Sequence, residues 1–113
     1  MQGAYLRFYV AESAKHHGKL LYEWLLEEAQ CLGIPGGSAS RAIAGYGRHG
    51  RMHEEHFFEL AGALPMIIEF FAEELAANSL LERLRQEKIE IFYVLLPAWG
   101  GLTGEPVAHV KTI

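Results

Sequence analysis

The stretch from residue 45 to residue 51 carries the best anion-binding chemistry of the chain. It contains three glycines, whose backbone N–H groups are unhindered, and two arginines, whose guanidinium groups can fork onto phosphate or carboxylate oxygens. We predict that this segment binds a small anionic effector; the alternative is an ordinary connection with solvated arginines. The predicted ligand-binding residues are Gly45, Tyr46, Gly47, Arg48 and Arg51, together with Arg41 just upstream.

A second group of basic residues lies between residues 15 and 19. Lys15 and Lys19 flank His16 and His17, and we place all four at the start of the first predicted helix. The N-terminus of a helix favours anions, because its free backbone N–H groups and its dipole both attract negative charge. Lys15 and Lys19 are therefore predicted to contact the same effector; the alternative is a solvated helix start.

Three histidines after the glycine-rich segment suggest a different chemistry. His49, His53 and His56 recur at helical spacing, with glutamates between them. Imidazoles at this spacing can converge on a divalent metal or support acid–base catalysis. The spacing differs from the H-E-x-x-H pattern of zinc proteases, which favours solvated histidines. We assign no metal ligand and no catalytic residue, and we keep a small metal- or acid–base-dependent enzyme at His53 and His56 as an alternative function.

The overall composition narrows the class of protein. The chain has 113 residues, half of them hydrophobic, which suits one domain with a sizeable core. Ten basic against fourteen acidic residues give a formal charge of −4, which argues against a nucleic-acid binder that must neutralise phosphates. Cys31 is the single cysteine, so the chain forms no internal disulfide and a reducing compartment is expected.

The expected location is the cytoplasm. The N-terminus enters an alternating strand pattern directly, unlike the charged and then apolar regions of a secretory signal. No apolar run approaches the roughly 20 residues that a helix needs to cross a bilayer.

The first half of the chain predicts a strand, a helix and a second strand. Residues 4–11 alternate between apolar and mixed positions, which indicates a half-buried strand. Ser13 is a suitable N-cap, and apolar residues at helical spacing predict a helix from Ala14 to Leu32 that ends at Gly33. Residues 38–46 are predicted to form the second strand.

The second half predicts the same alternation of elements. Residues 64–71 are apolar on both faces and predict a third strand. Glutamates at positions 73 and 74 open a second helix, and basic residues close it, in keeping with the helix dipole. Residues 89–96 are the predicted fourth strand, broken at Pro97, and the tail 97–113 is predicted to add an edge strand from residue 107. The predicted buried stripe of the second helix is Leu75, Leu80, Leu81 and Leu84.

This order of elements predicts one α+β domain over residues 1–113, of the ferredoxin-like βαββαβ type. The antiparallel sheet of such a fold carries both helices on one face. The other face of the third and fourth strands is also apolar and must be covered. We expect a partner subunit there, since large exposed apolar patches are rare on monomers.

Four segments of the chain resemble a known family. Residues 12–23, ESAKHHGKLLYE, are similar to the signature ES-x-K-x-H-G-K-x-L-Y-E of the PII-like proteins of domain-of-unknown-function family 190. Residues 41–47 resemble the R-G-I-x-G-Y-G segment of that family, and residues 64–69 resemble its L-P-V-V-I-E. Met52 and His53 stand where the family has an apolar residue and a histidine.

The resemblance implies a PII-type homotrimer whose clefts between subunits bind adenine nucleotides. AMP, ADP or ATP is then the expected effector, and no cofactor is required. The loop after the second strand is the implied relay, so that residues 45–56 contact a target protein or a membrane transporter. One departure is visible: PII proteins hold phosphates on a glycine-rich, lysine-containing loop before the second helix, whereas residues 71–74 are acidic and glycine-free here.

These observations together predict a regulatory protein and not an enzyme. Two alternatives stay open. One is the small enzyme that would use His53 and His56, and the other is an interaction module that binds no ligand.

Overall fold

The computed structural model describes residues 1–46, 52–53 and 65–106. Within these ranges neither helix is long and apolar enough to cross a bilayer. The helices of the described residues are α1 (Leu21–Cys31) and α2 (Glu74–Gln86). The strands are β1 (Gln2–Ala11), β2 (Lys15–His16), β3 (Lys19–Leu20), β4 (Gly37–Arg41), β5 (Gly45–Tyr46), β6 (Met52–His53), β7 (Pro65–Ala72) and β8 (Phe92–Trp99).

The main sheet of the described residues has four antiparallel strands in the order β4-β7-β1-β8. β1 pairs with both β7 and β8, so that Leu6 lies opposite Phe70 on one side and opposite Leu95 on the other. β4 pairs with β7 and forms one edge of the sheet, while β8 forms the other. This is the split βαβ arrangement, and the predicted ferredoxin-like α+β fold is confirmed.

The core lies between the sheet and the two helices. Leu6, Phe8 and Ile68 are fully buried, and Phe8 meets Phe70 edge to face with ring centroids 6.2 Å apart. Alternate positions of β1 and β7 are buried, as the period-two pattern predicts. The buried side chains of the helices are Leu21, Trp24, Leu25, Ala29, Ala77, Leu80 and Leu84.

Leu75 does not belong to the buried stripe of α2, contrary to the prediction. Its side chain is 80% exposed, whereas Ala77, Leu80 and Leu84 are buried. At about 100° per residue these three positions share one side of the helix, and Leu75 falls on the opposite side. Leu81 is only partly buried at the margin of the stripe.

The first helix begins at Leu21, well after the predicted start at Ala14. The preceding residues form the β2–β3 hairpin instead, and the N–H of Leu21 bonds to the carbonyl of Ala14 at 2.8 Å. His17 and Gly18 have positive φ values of 52° and 77°, as in the two-residue type I′ turn of a hairpin. Ser13 is therefore not a helix N-cap. A glycine that readily adopts positive φ, next to a histidine that tolerates it, favours the turn over a helical start.

The predicted end of this helix is confirmed. Leu32 is the C-cap of α1, and Gly33 follows it with a positive φ of 82°. The N–H of Ile34 bonds to the carbonyl of Ala29 at 3.0 Å, which is the long hydrogen bond of a Schellman motif. Glycine occupies the left-handed position of that motif without a steric cost.

The last strand starts later than predicted and runs through Pro97, where a break was expected. Met1 and Gly100 exchange both backbone hydrogen bonds, and such pairs alternate along an antiparallel ladder. Pro97, which lies opposite Ala4, therefore occupies a non-hydrogen-bonded position on β8, an edge strand among the described residues. A proline is tolerated there because the ladder does not use its N–H.

The second predicted strand, 38–46, is divided in two. β4 ends at Arg41, and β5 begins at Gly45 and pairs with β6. The predicted edge strand from residue 107 lies outside the described residues.

Candidate effector site

The predicted effector segment begins in a small two-stranded sheet. β5 pairs antiparallel with β6, which places Gly45 opposite His53. Tyr46 is 72% exposed, so its ring is accessible to a ligand or a partner. The remaining predicted residues of this segment lie outside the described residues, and their role stays a prediction: Gly47, Arg48 and Arg51.

Arg41 lies at the end of β4, just before this segment. Its guanidinium donates a hydrogen bond to the carboxylate of Glu12, which directly follows β1. The pairing of the sheet continues beyond the strand, since the N–H of Ala42 bonds to the carbonyl of Pro65 at 2.9 Å. The charge of Arg41 is thus already matched by a carboxylate, and a phosphate bound to Arg41 would have to displace Glu12.

Lys15 and Lys19 lie on the β2–β3 hairpin and not at a helix N-terminus, contrary to the prediction. Lys19 donates a hydrogen bond to Glu27 of α1, and this bond raises the pKa of the lysine. Lys15 is exposed and lies opposite Leu20, so the two lysines are not cross-strand partners. The hairpin therefore offers two exposed lysines, of which Lys19 is bound to a carboxylate.

The two histidines of the hairpin approach the end of α2. His16 Nε2 lies 3.4 Å from Glu87 Oε1, and His17 Nε2 lies 3.9 Å from the same oxygen. Glu87 was not a predicted site residue, because it follows His16 by 71 positions. A contact between such distant segments has no local signal in the sequence.

A polar cluster occupies the face of the sheet away from the helices. Arg7 Nε donates to the hydroxyl of Tyr5 at 2.9 Å, and Arg7 Nη1 donates to the hydroxyl of Tyr9 at 3.2 Å. Arg7 Nη2 also lies 3.7 Å from Glu69 Oε2, which accepts a hydrogen bond from Tyr5. The hydrogen bonds to Tyr9 and Tyr5 raise the pKa of Arg7. Burial, and then the hydrogen bond to Glu69, raise the pKa of Tyr5.

Apolar side chains surround this cluster on the same face. Phe92 and Leu96 of β8 are 53% and 50% exposed, and the register places both on the same side of the sheet as Arg7. Ile67 and Phe71 of β7 lie partly buried on that side. The prediction that these two strands carry apolar residues on the face away from the helices is confirmed, while the predicted partner subunit stays a prediction.

A groove of about 560 Å³ lies between the C-terminal half of α2 and β8. Arg85 and Lys88 line it together with Glu82 and Glu90. Arg85 donates two hydrogen bonds to Glu82, at 3.0 and 2.8 Å. Basic and acidic charges thus balance around the groove, which makes it a poor site for a phosphate.

Residues 3–100 match one protein family, DUF190, described as Uncharacterized ACR. The chain belongs to DUF190. A curated relative agrees with this assignment: the UPF0166 protein of Aquifex aeolicus (strain VF5) is 32% identical over 97 residues, which cover 79% of this chain and 92% of that protein. The resemblance drawn from the sequence segments is confirmed.

The fold of this DUF190 protein is similar to that of PII-like proteins of known structure. A structure named as a PII-like signaling protein of Thermus thermophilus has a TM-score of 0.56 at 23% identity, covering 88% of this chain and 90% of that chain. CPII of Thiomonas intermedia K12 is a nitrogen regulatory PII-like protein whose structure holds ADP, AMP and bicarbonate. It has a TM-score of 0.63 at 18% identity, covering 87% of each chain. At these identities the likeness shows the fold alone.

The segment that resembles the DUF190 signature coincides with the β2–β3 hairpin and the start of α1. Glu12 binds Arg41 on β4, and Lys19 binds Glu27 on α1. The turn itself is His17–Gly18. In this DUF190 protein, charged residues of the signature therefore link this segment to β4 and to α1.

Proposed function

We propose that this DUF190 protein is a non-catalytic, PII-like regulatory protein that binds an adenine nucleotide. The observation that carries the proposal is the PII-like fold, which it has in common with a protein whose structure holds ADP and AMP. The chemistry of this chain supports the same class of effector. AMP, ADP and ATP each present an anionic phosphate group, which suits a glycine-rich segment with two arginines.

The assembly in this proposal is a homotrimer with the effector in the clefts between subunits. Phe92 and Leu96 are about half exposed on the face of the sheet away from the helices, where burial against another subunit would remove apolar surface from water. Arg7 on that face already has hydrogen-bond partners within the subunit, which lowers the cost of burying its charge. The number of subunits is proposed from the PII-like fold.

The phosphates in this proposal are bound by Arg48 and Arg51. Of the other predicted basic residues, Arg41 donates a hydrogen bond to Glu12 and Lys19 donates one to Glu27. Those two charges are already matched by carboxylates, whereas a guanidinium that meets a phosphate can form two parallel hydrogen bonds. Glycines at positions 45 and 47 would add backbone N–H donors, and the exposed Tyr46 lies beside them.

The regulatory step in this proposal is a change in the arrangement of residues 45–56. Nucleotide binding would favour one arrangement, which alters the contact with a target protein or a membrane transporter. Such a switch works only to the extent that the nucleotide binds one arrangement more tightly than the other.

Calorimetric titration with AMP, ADP and ATP tests the proposal, together with light scattering on the same samples. We expect saturable binding of at least one nucleotide to a trimer. The nucleotide should be recovered chemically unchanged after prolonged incubation, which tests the non-catalytic part. An absence of binding by all three nucleotides would exclude an adenine nucleotide as the effector, and nucleotide turnover would exclude a purely regulatory role.

A further inference from the structure

A second cluster of possible ligand atoms lies where the β2–β3 turn meets the C-terminal end of α2. His16, His17 and Glu87 each offer one atom, and these atoms all lie within 4.8 Å of one another. The side chain of His16 is 15% exposed, that of Glu87 is 28% exposed and that of His17 is 73% exposed. The cluster is therefore largely buried at His16 and Glu87 and open to solvent at His17.

The backbone of the hairpin directs both imidazoles to the same place. Neighbouring residues of a regular strand point to opposite sides. His17 instead adopts a positive φ of 52° in the turn, and its ring packs against that of His16 with centroids 4.1 Å apart. The ring of Trp24 packs against that of His16 from the core side in a T-shaped contact, with ring centroids 4.9 Å apart. The two imidazoles are thus positioned by a defined turn and by a core side chain.

The end of α2 fixes the position of the third possible ligand, the carboxylate of Glu87, in a similar way. Glu87 is the C-cap, and Lys88 follows it with a positive φ of 59°. The N–H of Ile89 bonds to the carbonyl of Leu84 at 3.0 Å, as in a Schellman motif. The C-terminal end of a helix carries partial negative charge, which favours a cation nearby.

We propose that His16, His17 and Glu87 bind a divalent transition metal of the Zn²⁺ type. Two imidazole nitrogens and one carboxylate oxygen are a known ligand set for zinc, and they suit it better than Mg²⁺ or Ca²⁺, which prefer oxygen ligands. Zinc bonds of 2.0–2.1 Å in a tetrahedron place neighbouring ligand atoms about 3.3 Å apart. The carboxylate oxygen lies 3.4 Å from Nε2 of His16 and 3.9 Å from Nε2 of His17, which is near this spacing, and the exposed ring of His17 has room to adjust.

The proposed site has three protein ligands, which leaves a fourth position for water or an external group. A metal bound there would link the hairpin to the end of α2, two segments that are far apart in the sequence. The proposed ligands are residues other than those of the glycine-rich segment.

The test is a titration of the full chain, first freed of metal with a chelator, with zinc chloride in the absence of nucleotide. We expect one zinc ion per chain and a rise in the thermal unfolding midpoint, since a ligand that binds only the folded state stabilises it. The variants are His17→Asn, because asparagine tolerates the positive φ of the turn, and Glu87→Gln, which keeps the size of the C-cap residue. Each should weaken zinc binding at least tenfold and remove the thermal shift.

Two controls separate this site from zinc binding elsewhere on the chain. Glu90→Gln removes the same charge from an exposed position just beyond the cluster and should bind zinc like the wild type. A variant with asparagine at His49, His53 and His56 should also keep its affinity. If the wild type does not bind zinc, or if only the triple variant loses it, the proposal is wrong and the cluster is a side-chain contact without a metal.

Discussion

Arg41 and Glu12 form an ion pair at the end of the sheet where the predicted effector segment begins. The two residues are 29 positions apart, and the pairing of β4 with β7 and of β7 with β1 brings them together. Because this pair already matches the charge of Arg41, phosphate binding by the glycine-rich segment would rely on Arg48 and Arg51. This expectation can be tested by substituting the arginines one at a time.

Arg48→Ala or Arg51→Ala should weaken nucleotide binding about 10- to 150-fold. A charge-assisted hydrogen bond contributes roughly 1.5–3 kcal/mol, and each ~1.4 kcal/mol corresponds to a tenfold change in affinity. Calorimetric titration of the wild type and both variants with AMP, ADP and ATP measures the effect.

Arg83→Ala is the matched control for these variants. Arg83 Nη2 lies 3.6 Å from Glu28 Oε1, in an ion pair between the two helices. Removing it changes the net charge equally, and the nucleotide affinity should be retained. If the wild type binds a nucleotide and neither loop variant loses affinity, the phosphates bind elsewhere, with the exposed Lys15 as the next candidate.

Leu96→Asp should dissociate the proposed trimer. Leu96 lies about half exposed on the apolar face of β8, and a carboxylate buried there between subunits would be unpaired. Light scattering at micromolar concentration should show a trimer for the wild type and a smaller species for the variant. Leu75→Asp changes an 80% exposed leucine in the first turn of α2 and should leave the assembly intact. A monomeric wild type would contradict the prediction.

Trp24→Ala should lower the free energy of unfolding by roughly 3–5 kcal/mol, the usual cost of emptying a large aromatic site. Trp24 is only 9% exposed and belongs to the core cluster. Chemical denaturation measures the change, and Leu75→Ala at an exposed position should cost under about 0.5 kcal/mol. A loss below about 1 kcal/mol for Trp24→Ala, with an unchanged m-value, would show that the core does not depend on this ring.

Lys88→Gly should raise the free energy of unfolding by roughly 0.5–1 kcal/mol. Lys88 occupies the left-handed position after α2, with φ of 59°, where a side chain costs about 1–2 kcal/mol and glycine does not. The larger backbone entropy of glycine in the unfolded chain offsets part of that gain. Glu90→Gly, in the same connection but without a positive φ, should destabilise the protein in the same denaturation assay. A destabilised Lys88→Gly variant would contradict the assigned backbone strain.

The order of the elements and the position of the core were predictable from local patterns. The alternating burial in β1 and the buried positions Leu80 and Leu84 of α2 follow from the periodicity of apolar residues. This periodicity is visible within a short segment of sequence. The end of α1, with Leu32 as its C-cap, was predictable as well, because the glycine after it readily adopts the positive φ that this helix end requires. Family membership also followed from short segments of sequence.

The start of α1 and the course of β8 were not predictable, because competing arrangements have similar local preferences. Ser13 resembles a helix N-cap, yet the His17–Gly18 turn and the contacts of the hairpin delay the helix to Leu21. Pro97 resembles a strand breaker, but its place in the register removes the need for an N–H.

The sequence by itself determined the order of the main strands and helices of this protein, since periodicity and turn chemistry act over a few neighbouring residues. Only the tertiary structure decided which side chains meet. The ion pair of Arg41 with Glu12 and the cluster of His16 with Glu87 join residues that are distant in the chain. Their proximity depends on strand register and on where each helix ends, and a shift of one residue in a strand would turn such a side chain to the other face.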